Sequence, residues 1–120
     1  MAENHELGRE GEERAREFLC SNGYEILETN WRSGNHEIDI IAKEGETLVV
    51  VEVKTRRSSY FGEPEAAVNA KKRKIIVRAA DAYINMHGLD LEVRFDIISL
   101  IIGSGKCVVN HIPDAFYPTL

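Results

Sequence analysis

The sequence predicts an α/β domain in which helices flank a mixed central sheet, and three observations predict it. Apolar residues recur at helical spacing over residues 5–22, and again at Ile75, Ile76, Ala79, Tyr83 and Met86. Between these helices lie two clear strand runs, 37–43 and 47–55, joined through Glu44, Gly45 and Glu46. The full order reads α-β-β-β-α-β and then a small β, and 120 residues suit one domain spanning 1–120.

Each element has its own signal. In the first helix Leu7, Ala15, Phe18 and Leu19 can share an inner face, and Asn22 with Gly23 stops it. Residues 24–31 read as a strand through Tyr24, Ile26 and Leu27, and residues 32–36, with Ser33, Gly34 and Asn35, read as a turn. Residues 58–63 form a loop after the second central strand. Pro64 suits a first helical turn, Asn69 suits the N-cap of the longer second helix, and Gly88 ends that helix. A strand within 91–102 centres on 95–100, with Phe95, like Trp31, a core residue. Gly103, Ser104 and Gly105 form a hairpin turn, 107–112 a shorter last strand, and the tail with Pro113 and Pro118 is irregular.

Composition narrows the function. Cys20 and Cys107 lie far apart and form no CxxC pair, which argues against a disulfide scaffold or zinc ribbon and fits a reducing compartment. The charged start lacks the apolar stretch of a signal peptide, and no apolar run is long enough to span a bilayer, so a cytoplasmic protein without membrane contact is expected. The net charge is −5, yet residues 54–78 hold eight basic and two acidic residues. A basic solvated helix explains that block, and so does a phosphate-facing patch on an acidic body. Lys71, Lys72, Arg73 and Lys74 begin the second helix, where cations oppose the helix dipole, which suggests an anionic partner. The histidines show no ligand spacing, Ser58 and Ser59 have no nearby histidine, and the glycines at 103 and 105 lack a P-loop frame.

The central hairpin carries the chemistry. Side chains alternate between sheet faces, so the turn decides which sets meet. With Glu44-Gly45 as a two-residue loop, Glu37 faces Glu52; with Gly45-Glu46, Asp39 faces Glu52. Either loop puts Glu37, Asp39, Glu52 and Lys54 on one face, and Ile38, Ile40, Val49, Val51 and Val53 on the other. Glu52 interrupts a run of four apolar residues, and a buried carboxylate must be paired, hydrogen-bonded or metal-bound. A Glu52–Lys54 ladder on a half-exposed strand is one solution, but it leaves Asp39 and Glu37 crowded. A hard divalent cation, Mg²⁺ or Mn²⁺, relieves the whole set.

Asp39 followed by Glu52-Val53-Lys54 on the next strand resembles the PD-(D/E)xK motif of restriction-endonuclease-like nucleases, whose α-β-β-β-α-β core has the same order. More narrowly, the chain resembles the YraN-like family of uncharacterised bacterial proteins, which are similar to archaeal Holliday-junction resolvases. The likeness runs through Gly8, Gly11-Glu12, Ala15, Gly23-Tyr24, Asn30, Arg32, Glu37-Ile38-Asp39, Val51 to Arg56, Phe61-Gly62 and Arg94-Phe95-Asp96. It implies Asp39 and Glu52 as ligands of Mg²⁺ or Mn²⁺ with the Val53 carbonyl as a third. It implies Lys54 for the attacking water, and Glu12 as a further acidic contact from the first helix. Two positions depart from the pattern: Ile38 replaces the motif proline, and His36 stands where glycine is usual.

The expectation is a metal-dependent endonuclease acting on DNA, including branched or structured DNA. Glu37 would support the site, and Arg56, Arg57, Lys71, Lys72, Arg73 and Lys74 would grip phosphates. By analogy with resolvases, a homodimer is compatible with this reading. Two other readings stand beside it: a non-catalytic nucleic-acid-binding module with the same fold, and a protein-interaction domain.

Overall fold

The computed structural model describes residues 2–58 and 68–117. Its elements are α1 (Ala2–Ser21), β1 (Glu25–Ser33), β2 (His36–Glu44), β3 (Thr47–Arg57), α2 (Ala70–His87), β4 (Glu92–Gly103) and β5 (Lys106–Phe116). The strands form one mixed sheet in the order β1-β2-β3-β4-β5, with β3 and β4 parallel and the other neighbours antiparallel. This is the α/β class and element order expected, and it is compatible with a nuclease-like core. No helix among the described residues is long and apolar enough to cross a membrane. Of the loop expected at 58–63, residues 59–63 lie outside the described residues, as do Pro64 and Phe61-Gly62.

Period-two patterning builds two cores. Ala15 and Leu19 of α1 pack on Ile40, Ala42, Val49, Val51, Ile98 and Leu100. Ile76, Ala79, Ala80 and Tyr83 of α2 pack on Ile41, Leu48, Val50, Phe95 and Ile97. Strand neighbours such as Val49 and Val50 thus go to different cores, so the helices cover opposite faces. Trp31 joins the α2 core edge-on to Tyr83, with centroids 5.1 Å apart.

Local chemistry fixes the ends. Glu44 pairs with Thr47, leaving Gly45-Glu46 as the two-residue loop, with Gly45 at φ 58°. Asn69 caps α2 by accepting the Lys72 N–H at 2.8 Å, and Gly88 closes it in the left-handed region.

Three expectations need correction. The 32–36 turn shrinks to Gly34-Asn35, because Arg32 pairs with Glu37 and Ser33 with His36. The last strand does not end at 112 but runs to Phe116, through Pro113. Phe116 is buried and stacks on Phe95 at 5.2 Å; the pairing bulges between Phe95 and Ile97, and proline is tolerated in such an edge strand. Ile38 does not share a face with Ile40: it lies in the α2 core, opposite Trp31. It lies beyond the end of the β2–β3 pairing, as described below.

The bulge in β5 has a polar counterpart. Asp96 is fully buried, on the α1 side of β4, where a charge would be costly without partners. It accepts Arg94 Nε and a terminal Arg94 nitrogen, both at 2.8 Å, and the backbone N–H of Asp114 at 3.0 Å. His111 Nε2 completes the shell at 2.7 Å. Arg94 also reaches Tyr24 Oη at 2.7 Å and Glu44 at 3.0 Å, tying β4 to α1's end and to the central hairpin. Burial pushes the Asp96 carboxyl up, but these donors outweigh it and hold it below the ordinary range.

Asp96→Asn should therefore cost about 3–5 kcal/mol at neutral pH, as removal of one partner from a buried ion pair does, read by urea denaturation. Because the native carboxyl is depressed, its stabilisation is present above the unfolded value and is lost as pH falls through the native one. The wild type should lose part of its stability on acidification, a loss the variant lacks.

Candidate metal centre

Regular pairing of β2 with β3 ends at Ile40 and Val51. One step on, that register sets Asp39 against Glu52. There the backbone ladder gives way: the Val53 N–H donates to the Asp39 carboxylate at 2.8 Å. A side chain has taken the place of a strand carbonyl. Residues 40–44 are paired with β3, whereas Ile38 pairs with Trp31 of β1 alone, and next to it the β1 backbone turns through Asn30 at φ 51°. In an extended strand the N–H and C=O of one residue point to the same side, so the Val53 carbonyl faces the side on which Asp39 stands.

Glu52 is almost fully buried, on the α2 face of β3. Burial pushes Asp39 up first, and the Glu52 charge adds to it, raising its carboxyl to about 7 even though the Val53 N–H and Lys72 pull the other way. A native carboxyl held that high signals two acids kept together at a cost. The cation beside Glu52 is Lys72 of α2, its Nζ 3.4 Å from the carboxylate. Lys54 is two residues further along β3, opposite Ser99, and half-buried. The Glu52–Lys54 ladder expected as one solution is thus replaced by a Glu52–Lys72 pair.

Glu37 and Glu12 surround this pair of acids. Glu37 is held by Arg32 across the β1–β2 hairpin at 2.9 Å. Glu12 enters from α1. Burial raises its carboxyl, a hydrogen bond with Asn30 lowers it, and the charges of Asp39 and Glu37 raise it further. It comes this near because of Gly11. A Cβ at Gly11 would overlap the Thr55 side chain on β3, so α1 touches the sheet where only glycine fits. Glycine inside a helix is unfavourable by roughly 1 kcal/mol against alanine, and here a packing reason accounts for it. Asn30 adds to this, standing at φ 51°, a conformation asparagine adopts more readily than most residues.

The remaining basic residues follow in sequence from β3 and α2. Lys71, Lys72 and Lys74 are exposed, and Arg73 half-buried, in the first turns of α2, which holds no acidic residue there. Arg56 is half-buried and Arg57 exposed at the end of β3, opposite Ile101 and Ile102. His36 pairs with Ser33 at the start of β2, at the rim and not between the acids.

The donor set fits a hard cation of modest demands. Among the described residues no three Asp, Glu, His or Cys side chains stand close enough to hold a metal by themselves. Asp39, Glu52 and the Val53 carbonyl are the residues that would hold one. Mg²⁺ fits such a set, since it keeps several waters and commonly takes one or two carboxylates together with phosphate oxygens. Gly11, Asn30 and Lys72 are the contributors that sequence reasoning left without their roles here. Gly11 did carry a signal, as a glycine inside a strong helical pattern.

The model of an uncharacterised protein family, UPF0102, matches residues 11–100, a span that contains Glu12, Asp39, Glu52 and Lys54. A UPF0102 protein of Bacteroides thetaiotaomicron is 49% identical over 120 residues, covering 100% of this chain and 99% of its own length. One from Parabacteroides distasonis is 49% identical over 117 residues, 98% of this chain and 97% of its own. One from Flavobacterium psychrophilum is 47% identical over 117 residues, 98% of each chain.

Two outcomes follow from the geometry. Gly11→Ala should destabilise the fold by about 1–3 kcal/mol in urea melts despite alanine's better helix propensity, because overpacking at Thr55 outweighs it. For Asp39 the native carboxyl is raised, so the native state holds its proton to higher pH than the unfolded chain. In chelator, stability should fall from about pH 4 to about pH 7 by on the order of a few kcal/mol from this group. Asp39→Asn should remove that fall; an unchanged pH profile would show that Asp39 and Glu52 do not repel.

Proposed function

The chain belongs to the uncharacterised protein family UPF0102, and from that premise we propose that this member is a metal-dependent phosphodiesterase acting on DNA. The observation that carries the proposal is the close Asp39–Glu52 pair at the point where β2 and β3 part, with Glu52 buried and the Lys72 ammonium beside it. A domain of this size has no structural need to bury the Asp39 carboxyl beside a second acid, at a cost in its ionised form. Such a pair is stabilised when a divalent cation is bound.

In this reading Asp39 and Glu52 hold Mg²⁺ or Mn²⁺, aided by the Val53 carbonyl. When bound, the ion supplies a water of lowered pKa and stabilises charge on the phosphoryl oxygens. Lys54, at the C-terminal side of Glu52 on the same strand face, orients the attacking water or contacts the scissile phosphate. Glu12 closes the acidic wall from α1. Lys71, Arg73 and Lys74, with Arg56 and Arg57, grip neighbouring phosphates, a sequence-independent grip that salt weakens. The resolvase likeness extends the reading to branched DNA and to a dimer, both open to the same assays.

Thermal melts with and without Mn²⁺ test the ligand assignment before a substrate is found. At a concentration 100 times its Kd, Mn²⁺ should stabilise the wild type by about 2.7 kcal/mol. Asp39→Asn and Glu52→Gln should each abolish the shift, whereas Lys54→Ala should keep it and lower cleavage by about 10²-fold or more. Cleavage is scored on single-stranded, duplex, flap and four-way-junction DNA. Metal binding with no cleavage of any of them would leave a non-catalytic module. Charge reversal at Lys71 and Lys74 should weaken DNA binding on every sequence and lower the salt slope by about 1 per lost phosphate contact.

A further inference from the structure

Glu52 and Lys72 form an unequal pair. The Glu52 side chain is 11% exposed and the Lys72 side chain 51%, with 3.4 Å between the charged atoms. The acid is fixed in β3 between apolar neighbours and cannot withdraw. The lysine stands in the first turn of α2, its backbone N–H tied to Asn69, and its long side chain can swing to solvent without moving the helix. Its neighbours Lys71, Arg73 and Lys74 repel it, and the helix start offers no acidic residue to hold it. What draws its ammonium inward is the charge of the buried acids.

We propose that Lys72 is a positioning residue: the resident counter-ion of Glu52 in the metal-free protein, which yields its place to a divalent cation and then takes a nucleic-acid backbone phosphate. This rests on the reading of Asp39 and Glu52 as metal ligands. Without nucleic acid, metal binding breaks the ion pair and leaves an ammonium beside a dication. With a phosphate present, the displaced ammonium has a partner. Metal and nucleic acid therefore bind cooperatively, and by linkage each raises the affinity of the other by the same factor.

The test compares Lys72→Met, which keeps the apolar stem, and Lys72→Gln, as a second variant in case the first folds poorly, with Lys106→Met, the same loss of charge at the exposed β4–β5 turn. All proteins carry Lys54→Ala so that DNA stays intact. Calorimetric titration with Mn²⁺ alone should show tighter binding in the Lys72 variants, by about threefold, the size expected for a half-exposed pair. The affinity for a labelled four-way junction, read by anisotropy, should rise about tenfold on adding Mn²⁺ with Lys72 present, and hardly at all without it. Lys106→Met should match the parent in both. If Mn²⁺ binds the parent but the Lys72 variants bind it equally or more weakly, or if their DNA affinity keeps the full Mn²⁺ response, the counter-ion role is overturned and the metal centre stands. If the parent binds no Mn²⁺ up to millimolar concentration, the metal centre falls first, and this role with it.

Discussion

The Val53 N–H donates 2.8 Å to the Asp39 carboxylate instead of to a carbonyl of β2, and the sheet changes course there. Up to Ile40 and Val51 the central hairpin is a regular antiparallel ladder. Beyond that point β2 stays with β1, and β3 runs on beside β4 as far as Arg57. Asp39 and Glu52 stand where the strands part, with the Lys72 ammonium beside Glu52. A side-chain acceptor that satisfies a buried backbone donor meets the general demand for pairing and still frees the strand to diverge. One hydrogen bond thus both ends the ladder and fixes Asp39 at that point.

Two acidic clusters lie in the sheet, Asp96 and the Asp39–Glu52 pair, and their surroundings differ. Asp96 is surrounded by donors from Arg94, His111 and the Asp114 backbone, so its charged form is favoured and it ties together β4, β5, Tyr24 and the hairpin tip. Asp39 and Glu52 have one backbone donor and one half-exposed lysine between them, and the native fold raises the proton affinity of Asp39. Donor-rich and donor-poor surroundings thus move the two carboxyls in opposite directions, Asp96 down and Asp39 up.

Much of this was legible in the sequence because it rests on local rules. Gly45 calls for a two-residue loop, either Glu44-Gly45 or Gly45-Glu46, and the structure takes the second; Asn69 and Gly88 bound α2 as cap chemistry requires. The rest depends on tertiary choices that parity cannot see. Ile38 changes core because it lies beyond the end of the β2–β3 pairing and packs opposite Trp31. The chain from Pro113 to Phe116 remains strand because Phe95 offers a stacking partner and Asp96 accepts from Asp114. Lys72, not Lys54, neutralises Glu52, since a residue twenty positions away on a helix reaches the carboxylate that its strand neighbour does not.

The meeting of acids and bases is itself a consequence of topology. β3 and β4 are parallel, so the chain between them must cross over, and α2 is the helix of that crossover. A crossover helix begins at the C-terminal end of the strand it follows. The first turn of α2 is therefore delivered to the end of β3 that carries Glu52, Lys54, Arg56 and Arg57, which is also the side on which open parallel sheets bind ligands. A basic first turn, unfavourable for an isolated helix, becomes favourable beside buried carboxylates, and the Lys72–Glu52 contact is the evidence of that exchange. The acidic residues of the chain are concentrated elsewhere, which leaves the junction of β3 and α2 with most of its basic residues close together in sequence.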